Sequence, residues 1–210
     1  MFPWKKTDEV IILDNGIEYK RFQLNTLTRE SKREELGINQ GEFLIGFFGR
    51  FVPQKNHLFA INILESVLGE RKDTKLLCIG EGPLKQNFVT ELKKRRLIDQ
   101  VIFIGNTDRI EDYYQAIDAL IMPSYFEGFG LVAVESQISG TPTIVSDRVP
   151  EKTKISDLIQ YLPIQDESVI RWCEALTEAK RHIKHNVIKE IDNKYELQTL
   201  VGKIVDIYRN

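Results

Sequence analysis

The chain has 210 residues, of which 42% are hydrophobic and 29% are charged, and its formal net charge is −2. This length and composition fit one globular domain with an appended tail. Because no basic field covers the chain, the charge balance does not indicate a nucleic-acid partner. The longest basic run, residues 93–96, comes late in a helical pattern, where cations stabilise a helix end.

The cysteines and histidines form no recognisable framework. The two cysteines, Cys78 and Cys173, are far apart and lie among apolar neighbours, so we expect buried thiols. The three histidines show no metal-ligand spacing, and we expect neither a metal nor a cofactor. No apolar run approaches the ~20 residues that cross a bilayer, and residues 1–6 lack the apolar segment of a signal peptide. We therefore expect a cytoplasmic protein.

Short apolar runs alternate with helical patterns along most of the chain. Strands are predicted at residues 10–13, 43–48, 75–79, 101–104, 119–122 and 143–145, with a last short run at Tyr161 and Leu162. Helices are predicted near residues 29–36, 56–68, 110–116 and 129–138, and another ends around Arg96. The runs are apolar on both faces, which is typical of a buried parallel sheet covered on each side. Right-handed crossovers then predict an α/β, doubly wound, Rossmann-like domain.

After Pro163 the pattern is helical, at about residues 169–182 and 195–208. We assign residues 1–165 to the sheet domain and residues 166–210 to a C-terminal helical tail of the same domain. In such a sheet, ligands bind where the loops at the carboxyl ends of the strands meet. The side chains of these loops therefore carry the functional prediction.

The loop after residues 43–48 carries two cations, Arg50 and Lys55. Arginine offers a planar, bidentate fork and lysine a compact point charge, a combination suited to a diphosphate. Two cations in one loop are more often solvated surface residues, so this loop by itself does not decide the function.

The loop after residues 119–122 contains Gly128 and Gly130 and continues as a helix. The glycines let the backbone approach a ligand closely, and the start of the helix offers free N–H groups and a positive dipole end to an anion. Glu127 and Glu135 lie on either side of this point. Because a carboxylate accepts two hydroxyl hydrogens, we interpret them as acceptors for sugar and ribose hydroxyls. For Glu135, an ordinary helix carboxylate is an equal alternative.

The loop at residues 80–83 reads Gly-Glu-Gly-Pro and resembles the start of a dinucleotide fingerprint. It lacks the third glycine of that fingerprint, and Pro83 suits the first turn of a helix. We interpret this loop as structural.

Taken in order, these stretches resemble glycosyltransferase family 4, a large family of retaining enzymes with two Rossmann domains (the GT-B fold). The matching stretches are residues 15–16, 49–55, 80–83, 123–135 and 140–147. The resemblance covers about residues 10–165 and is strongest for members that build capsular or extracellular polysaccharide. It implies that the chain is the nucleotide-sugar-binding domain of a hexosyltransferase.

The resemblance implies a role for each matching residue. Arg50 and Lys55 would hold the donor diphosphate and stabilise the departing nucleoside diphosphate, and Glu127 would contact the donor sugar. Glu135 would bind the ribose hydroxyls. The other implied donor-binding residues are Gly49, Gly105, Asn106, Gly128, Phe129, Gly130, Leu131 and Val132. The resemblance implies no metal, and a nucleoside-diphosphate sugar as substrate, with uridine diphosphate the commonest carrier.

The chain departs from the family in two ways. Residues 148–152 replace a glycine-rich stretch, so no role is transferred to them. The resemblance implies an N-terminal acceptor domain that is not among these 210 residues. We therefore expect the chain alone to bind donor without efficient transfer, and any membrane association to depend on that domain. In the family, the last helix packs on the missing domain, and we expect its apolar stripe to be partly exposed here. The stripe consists of Leu197, Leu200, Val201, Ile204 and Ile207.

The sequence leaves one other function open and disfavours two more. A non-catalytic nucleotide-sugar-binding module, working with a separate acceptor subunit, remains open. A dehydrogenase domain is disfavoured by the incomplete glycine fingerprint and by the Glu127 and Glu135 pair. A sugar-nucleotide epimerase on the same two-domain fold is disfavoured by the arrangement of residues 127–131.

Overall fold

The computed structural model describes residues 15–179 and 193–209. The strand predicted at residues 10–13 lies outside this part of the chain. The strands are β1 (Phe43–Phe48), β2 (Thr74–Ile79), β3 (Val101–Ile104), β4 (Ala119–Met122), β5 (Thr143–Ser146) and β6 (Ile159–Leu162). The α-helices are α1 (Tyr19–Phe22), α2 (Thr26–Glu35), α3 (His57–Glu70), α4 (Lys85–Lys94), α5 (Ile110–Ala116), α6 (Leu131–Ile138), α7 (Val169–Glu178) and α8 (Leu197–Arg209).

The six strands form one parallel sheet in the order β3-β2-β1-β4-β5-β6. The chain adds strands on one side of β1 and then crosses over to add the rest on the other side. A crevice therefore opens between the carboxyl ends of β1 and β4, the usual ligand site of such sheets. The predicted doubly wound α/β fold is confirmed, and β6 is two residues longer than the run predicted at its end.

Alternate side chains of β1 enter two separate cores, as the pleat of a strand requires. Ile45 and Phe47 pack in a core with α3, α4 and α7. Leu44 and Phe48 pack in a second core with α1, α5 and α6. The central sheet is thus covered by helices on both faces, which explains why its strands are apolar throughout.

Helix α7 packs against the sheet domain, in the same core as α3. The Trp172 side chain is fully buried, and its ring lies 5.7 Å from that of Phe59 on α3. Its indole N–H donates a 2.7 Å hydrogen bond to the Pro163 carbonyl. These contacts fasten the first helix after residue 165 to the sheet domain.

Helix α8 follows an isolated bridge between Ile17 and Glu196. Leu200 is buried, whereas the rest of the predicted stripe is between 36% and 49% exposed. Val205 adds to this face with 38% exposure. The expected exposed stripe is therefore confirmed except at Leu200, whose side chain is buried.

Cys78 and Cys173 are buried free thiols, as expected, and burial raises the pKa of the Cys78 thiol. Across residues 15–179 and 193–209, no helix has the length and hydrophobicity needed to span a bilayer. Within the same residues, no group of three or more His, Cys, Asp or Glu side chains is placed to hold a metal ion.

Candidate functional site

The loops that follow β1 and β4 meet at the crevice and are joined by an ion pair. Lys55 Nζ lies 2.7 Å from Glu127 Oε1, with the two side chains only 14% and 9% exposed. Gln54 adds three bonds. Its carbonyl accepts from the Tyr125 N–H at 2.8 Å, and its Nε2 donates to the Phe126 carbonyl at 2.8 Å and to Glu127 Oε2 at 3.4 Å. Gln54 was not predicted as a site residue, because nothing in the sequence distinguishes an amide between Pro53 and Lys55 from an ordinary loop residue.

Gly49 and Arg50 are the first two residues of the loop after β1. A Cβ atom at Gly49 would lie 3.0 Å from Lys55 Cε, so the bare backbone gives the lysine stem room to reach the crevice. Arg50 is exposed, and no described residue forms an ion pair with it. The loop thus presents one cation paired with Glu127 and one cation that faces solvent.

Helix α6 begins at the crevice. Gly130 caps it with a φ of 91°, a conformation that favours glycine, and for this reason the helix begins at Leu131 and not at 129 as predicted. The N–H groups of Leu131 and Val132 belong to its first turn and have no acceptor among the described residues. They are available to an anion in the crevice.

Phe129 and Gly128 differ in what they offer a ligand. The Phe129 side chain is 9% exposed, and its ring lies 4.8 Å from that of Tyr195 in a T-shaped contact. Only the backbone of Phe129 is therefore placed to contact a ligand. Gly128 is exposed, and no atom lies within 4 Å of the position a Cβ would take.

Glu135 lies on the side of α6 that faces α5, where it contacts Tyr114 and not the Lys55–Glu127 pair. The Tyr114 hydroxyl donates to Glu135 Oε2 at 2.8 Å. Burial raises the pKa of the Glu135 carboxyl above its ordinary value of 4.5, and the hydrogen bond from Tyr114 opposes this in part. Tyr114 was missed because α5 meets α6 only in the folded chain.

The raised pKa of Glu135 predicts how stability depends on pH. Between 4.5 and the raised value, the folded chain binds more protons than the unfolded chain, so the free energy of unfolding falls as pH rises through this window. Glu135→Gln removes that dependence. We expect the difference between wild-type and Glu135→Gln stability to decline as pH rises, measured by urea unfolding from about pH 4 to 8. A difference that stays constant with pH would contradict the burial of this carboxyl.

The loop after β2 supports the loop after β1. Gly80 has a φ of 134°, and a Cβ there would overlap the Gly49 carbonyl oxygen. The Phe51 N–H donates to the Glu81 carbonyl at 3.0 Å. These contacts support the structural interpretation of residues 80–83, because the loop holds the backbone that carries Arg50 and Lys55.

Gly105 and Asn106 lie at the end of β3, two strands away from β1. A Cβ at Gly105 would lie 3.2 Å from Glu81 Oε1, and Asn106 is exposed. The structure shows no direct contact between these two residues and the Lys55–Glu127 pair. Their assignment to the donor site stays a prediction.

Residues 28–180 match the family described as Glycosyl transferases group 1. EpsF of Bacillus subtilis, which is assigned as a glycosyltransferase, is 30% identical over 206 residues, covering 96% of this chain and 53% of its own. The UDP-Gal:alpha-D-GlcNAc-diphosphoundecaprenol alpha-1,3-galactosyltransferase of Escherichia coli is 25% identical over 213 residues, covering 95% of this chain and 54% of its own. The chain thus spans about half the length of these curated relatives.

Solved structures show the same fold at lower identity. The Anabaena protein HepE, in complex with UDP and glucose, superimposes with a TM-score of 0.78 at 16% identity, covering 98% of this chain and 58% of its own. WaaG, a glycosyltransferase involved in lipopolysaccharide biosynthesis, gives a TM-score of 0.78 at 21% identity, covering 96% and 57%. With the parallel sheet and the crevice described above, the match over residues 28–180 shows that this chain belongs to the glycosyl transferases group 1 family.

Proposed function

We propose that the crevice between β1 and β4 binds a nucleoside-diphosphate sugar, and that the protein transfers its hexosyl group to a polysaccharide or lipid-linked acceptor. The observation that carries this proposal is the Lys55–Glu127 pair. It places a cation and a hydroxyl acceptor together at the start of α6, at the point where the strand order reverses. This is the arrangement that a diphosphate joined to a sugar requires. Retention of the anomeric configuration is part of the proposal through the family resemblance.

The diphosphate would be bound by charge and by backbone dipoles. The Lys55 ammonium has three donors, of which one contacts Glu127, so two remain for phosphate oxygens. Arg50 is exposed and unpaired among the described residues, and it can add a bidentate contact. The first-turn N–H groups of α6 add the positive end of a helix dipole. Because negative charge on the leaving group grows during transfer, these groups would stabilise the transition state more than the substrate.

The carboxylates would position the sugar and the ribose. Glu127 Oε1 accepts from Lys55. Oε2 accepts only a long, 3.4 Å hydrogen bond from Gln54, and its remaining lone pair can accept a hydroxyl of the donor sugar. One carboxylate oxygen of Glu135 accepts the hydrogen bond from the Tyr114 hydroxyl, and the other is available to ribose hydroxyls. Each carboxylate is held by a protein donor before substrate arrives, which reduces the entropy lost on binding.

We also propose that donor binding needs no divalent metal, because Arg50 and Lys55 together supply the two positive charges that a diphosphate requires. Adding Mg²⁺ or a chelator should then leave nucleoside-diphosphate affinity unchanged. If the chelator abolished binding, Arg50 and Lys55 would not be sufficient to bind the diphosphate without a metal ion.

A second domain would complete the enzyme. The exposed face of α8 and the half-length match to the curated relatives both support an acceptor-binding domain packed against this one. On its own the chain would then bind donor without efficient transfer, since the acceptor groups and the closing cleft belong to the other domain. A non-catalytic nucleotide-sugar-binding module would behave the same way, and joining the chain to its acceptor domain would distinguish the two functions.

Thermal unfolding in the presence of nucleotides tests the donor site directly. A ligand at about 100 times its dissociation constant adds ~2.7 kcal/mol to the free energy of unfolding, which raises the Tm of a domain of this size by about 5–11 °C. We expect such a shift with one of UDP, GDP and ADP or their sugar conjugates, and none with NAD. A folded chain that responds to none of the nucleoside diphosphates would contradict the proposal.

A further inference from the structure

Helix α1 packs on the side chain that holds the carboxylate proposed to bind ribose. Its Phe22 side chain is 5% exposed, and the Phe22 ring makes a T-shaped contact with that of Tyr114 on α5, with 5.8 Å between the centroids. Gln115, the next residue of α5, donates hydrogen bonds from its Nε2 to the Phe22 and Gln23 carbonyls, both at 3.2 Å. Because Tyr114 donates to Glu135, these contacts connect α1 to the proposed ribose site.

Arg21 of α1 joins the loop after β3 to the start of α5. Its Nη2 donates to the Asp108 carbonyl at 2.5 Å and to Glu111 Oε2 at 2.9 Å. Asp108 belongs to the loop that begins with Gly105 and Asn106, the two residues that the resemblance assigns to donor binding. A hydrogen bond from an ionised donor is stronger than a neutral one, so Arg21 fixes this loop on α1 and α5.

Arg21 also supplies positive charge near Glu135. The groups that act on the Glu135 carboxyl are the Tyr114 hydroxyl and the Glu111 carboxylate of α5 and the Arg21 guanidinium of α1. Burial raises the pKa of Glu135, the Tyr114 hydrogen bond and the Arg21 charge lower it, and the Glu111 charge raises it. Arg21 thus favours the ionised carboxylate, which is the form that accepts hydroxyl hydrogens on both oxygens.

We propose that Arg21 is a positioning residue for the nucleoside half of the donor, because it fixes the loop after β3 on α5 and places a positive charge near Glu135. This inference rests on the proposed function, in which Glu135 binds ribose. Arg21 acts through Glu135 and the loop, without contacting the substrate. Its loss therefore lowers the affinity for the nucleoside and leaves the phosphate site, formed by Arg50 and Lys55, intact.

Arg21→Met keeps most of the length of the side chain and removes its charge and its hydrogen bonds. We expect it to weaken the binding of a nucleoside and of its diphosphate by the same factor, about fivefold, which is the effect of about one hydrogen bond. Inorganic pyrophosphate, a probe of the phosphate site alone, should bind as it binds the wild type. Isothermal titration of the whole chain with pyrophosphate, UDP, GDP, ADP and their nucleosides measures these affinities. An unchanged nucleoside affinity, or an equal loss for pyrophosphate, would overturn the proposal.

The pH dependence of binding separates positioning from a merely structural role. Nucleoside affinity should fall as pH falls through the pKa of Glu135, because the protonated carboxyl has lost an acceptor site. Without the Arg21 charge this pKa is higher, so the fall should begin at a higher pH in Arg21→Met than in the wild type. Arg21→Lys restores the charge and should return the onset toward that of the wild type. Identical pH profiles for the three proteins would contradict the proposal.

Arg71 makes contacts of the same kind at the opposite edge of the sheet, beside the first residue of β1. Its Nε donates to Asp73 Oδ1 at 3.0 Å, and its Nη2 donates to the Gly41 carbonyl at 2.9 Å. The two arginine side chains are similarly exposed, at 36% for Arg71 and 44% for Arg21. Arg71→Met is therefore the matched control, and it should leave the affinities and the pH profile unchanged. Equal losses in Arg71→Met and Arg21→Met would show that the effect is not specific to Arg21.

Glu111→Gln gives a second route if Arg21→Met does not fold. Glutamine keeps an oxygen that accepts from Arg21 and removes the negative charge that raises the pKa of Glu135. The fall in nucleoside affinity should then begin at a lower pH than in the wild type, which is opposite to the shift in Arg21→Met. An onset at the wild-type pH would count against the proposal.

The wild-type titrations separate this inference from the proposed function. If a nucleoside diphosphate binds the wild type and binds Arg21→Met equally well, only the role of Arg21 is removed. If no nucleoside diphosphate binds the wild type, the proposed function fails and this inference fails with it.

Discussion

Lys55→Ala should weaken nucleoside-diphosphate binding by about 1.5–3 kcal/mol, or about 10- to 150-fold in Kd, while nucleoside binding stays unchanged. The variant removes a charge-assisted contact to the diphosphate and leaves the Glu127 carboxylate, which is 9% exposed, without its cation. That unpaired carboxylate would also repel the ligand. Isothermal titration with each nucleoside diphosphate and its nucleoside measures both affinities.

Lys32→Ala is the matched control for this experiment. The Lys32 side chain is also 14% exposed and also lies 2.7 Å from a carboxylate, that of Glu35 on α2, but it is not part of the crevice. Its loss should leave both affinities unchanged. Lys55→Arg keeps the charge and should retain most of the diphosphate affinity. If Lys55→Ala weakened the nucleoside and its diphosphate equally, Lys55 would not be at the phosphate site.

Gly80→Ala should destabilise the chain by about 2–6 kcal/mol, of which ~1–3 comes from backbone strain and ~1–3 from overlap. The φ of 134° is a conformation that side-chain-bearing residues rarely adopt, and the new Cβ would overlap the Gly49 carbonyl oxygen. Because Gly49 precedes Arg50, relief of the overlap would displace the phosphate loop. Urea unfolding should show the lost stability, and titration with the nucleoside diphosphate should show weaker binding.

Gly69→Ala on α3 provides the comparison. Nothing lies within 4 Å of a Cβ at Gly69, and alanine in an exposed helix is more stable than glycine by about 0.5–1 kcal/mol. We therefore expect a small gain in stability and unchanged nucleotide binding. A Gly80→Ala variant as stable as the wild type would show that the loop after β2 does not support the loop after β1.

The sheet could be predicted from the sequence because its strands are buried on both faces. A run such as residues 43–48 is apolar at nearly every position and lies between helical patterns, so its own residues are enough to predict a buried strand. The start of α6 was harder to predict. The apolar pattern extends to Phe129, but Gly130 adopts a left-handed conformation and the helix begins only after it.

Among the site residues, the sequence by itself determined which side chains lie at the carboxyl edge, because in a parallel sheet every loop after a strand emerges there. The tertiary structure decided which of them meet. Lys55 and Glu127 are 72 positions apart, and they form an ion pair because the chain places β4 beside β1. Glu135 instead pairs with Tyr114, and Arg21 contacts the loop after β3 from a helix that precedes the sheet in the chain. Such contacts depend on strand order and helix packing, and local periodicity carries no information about either.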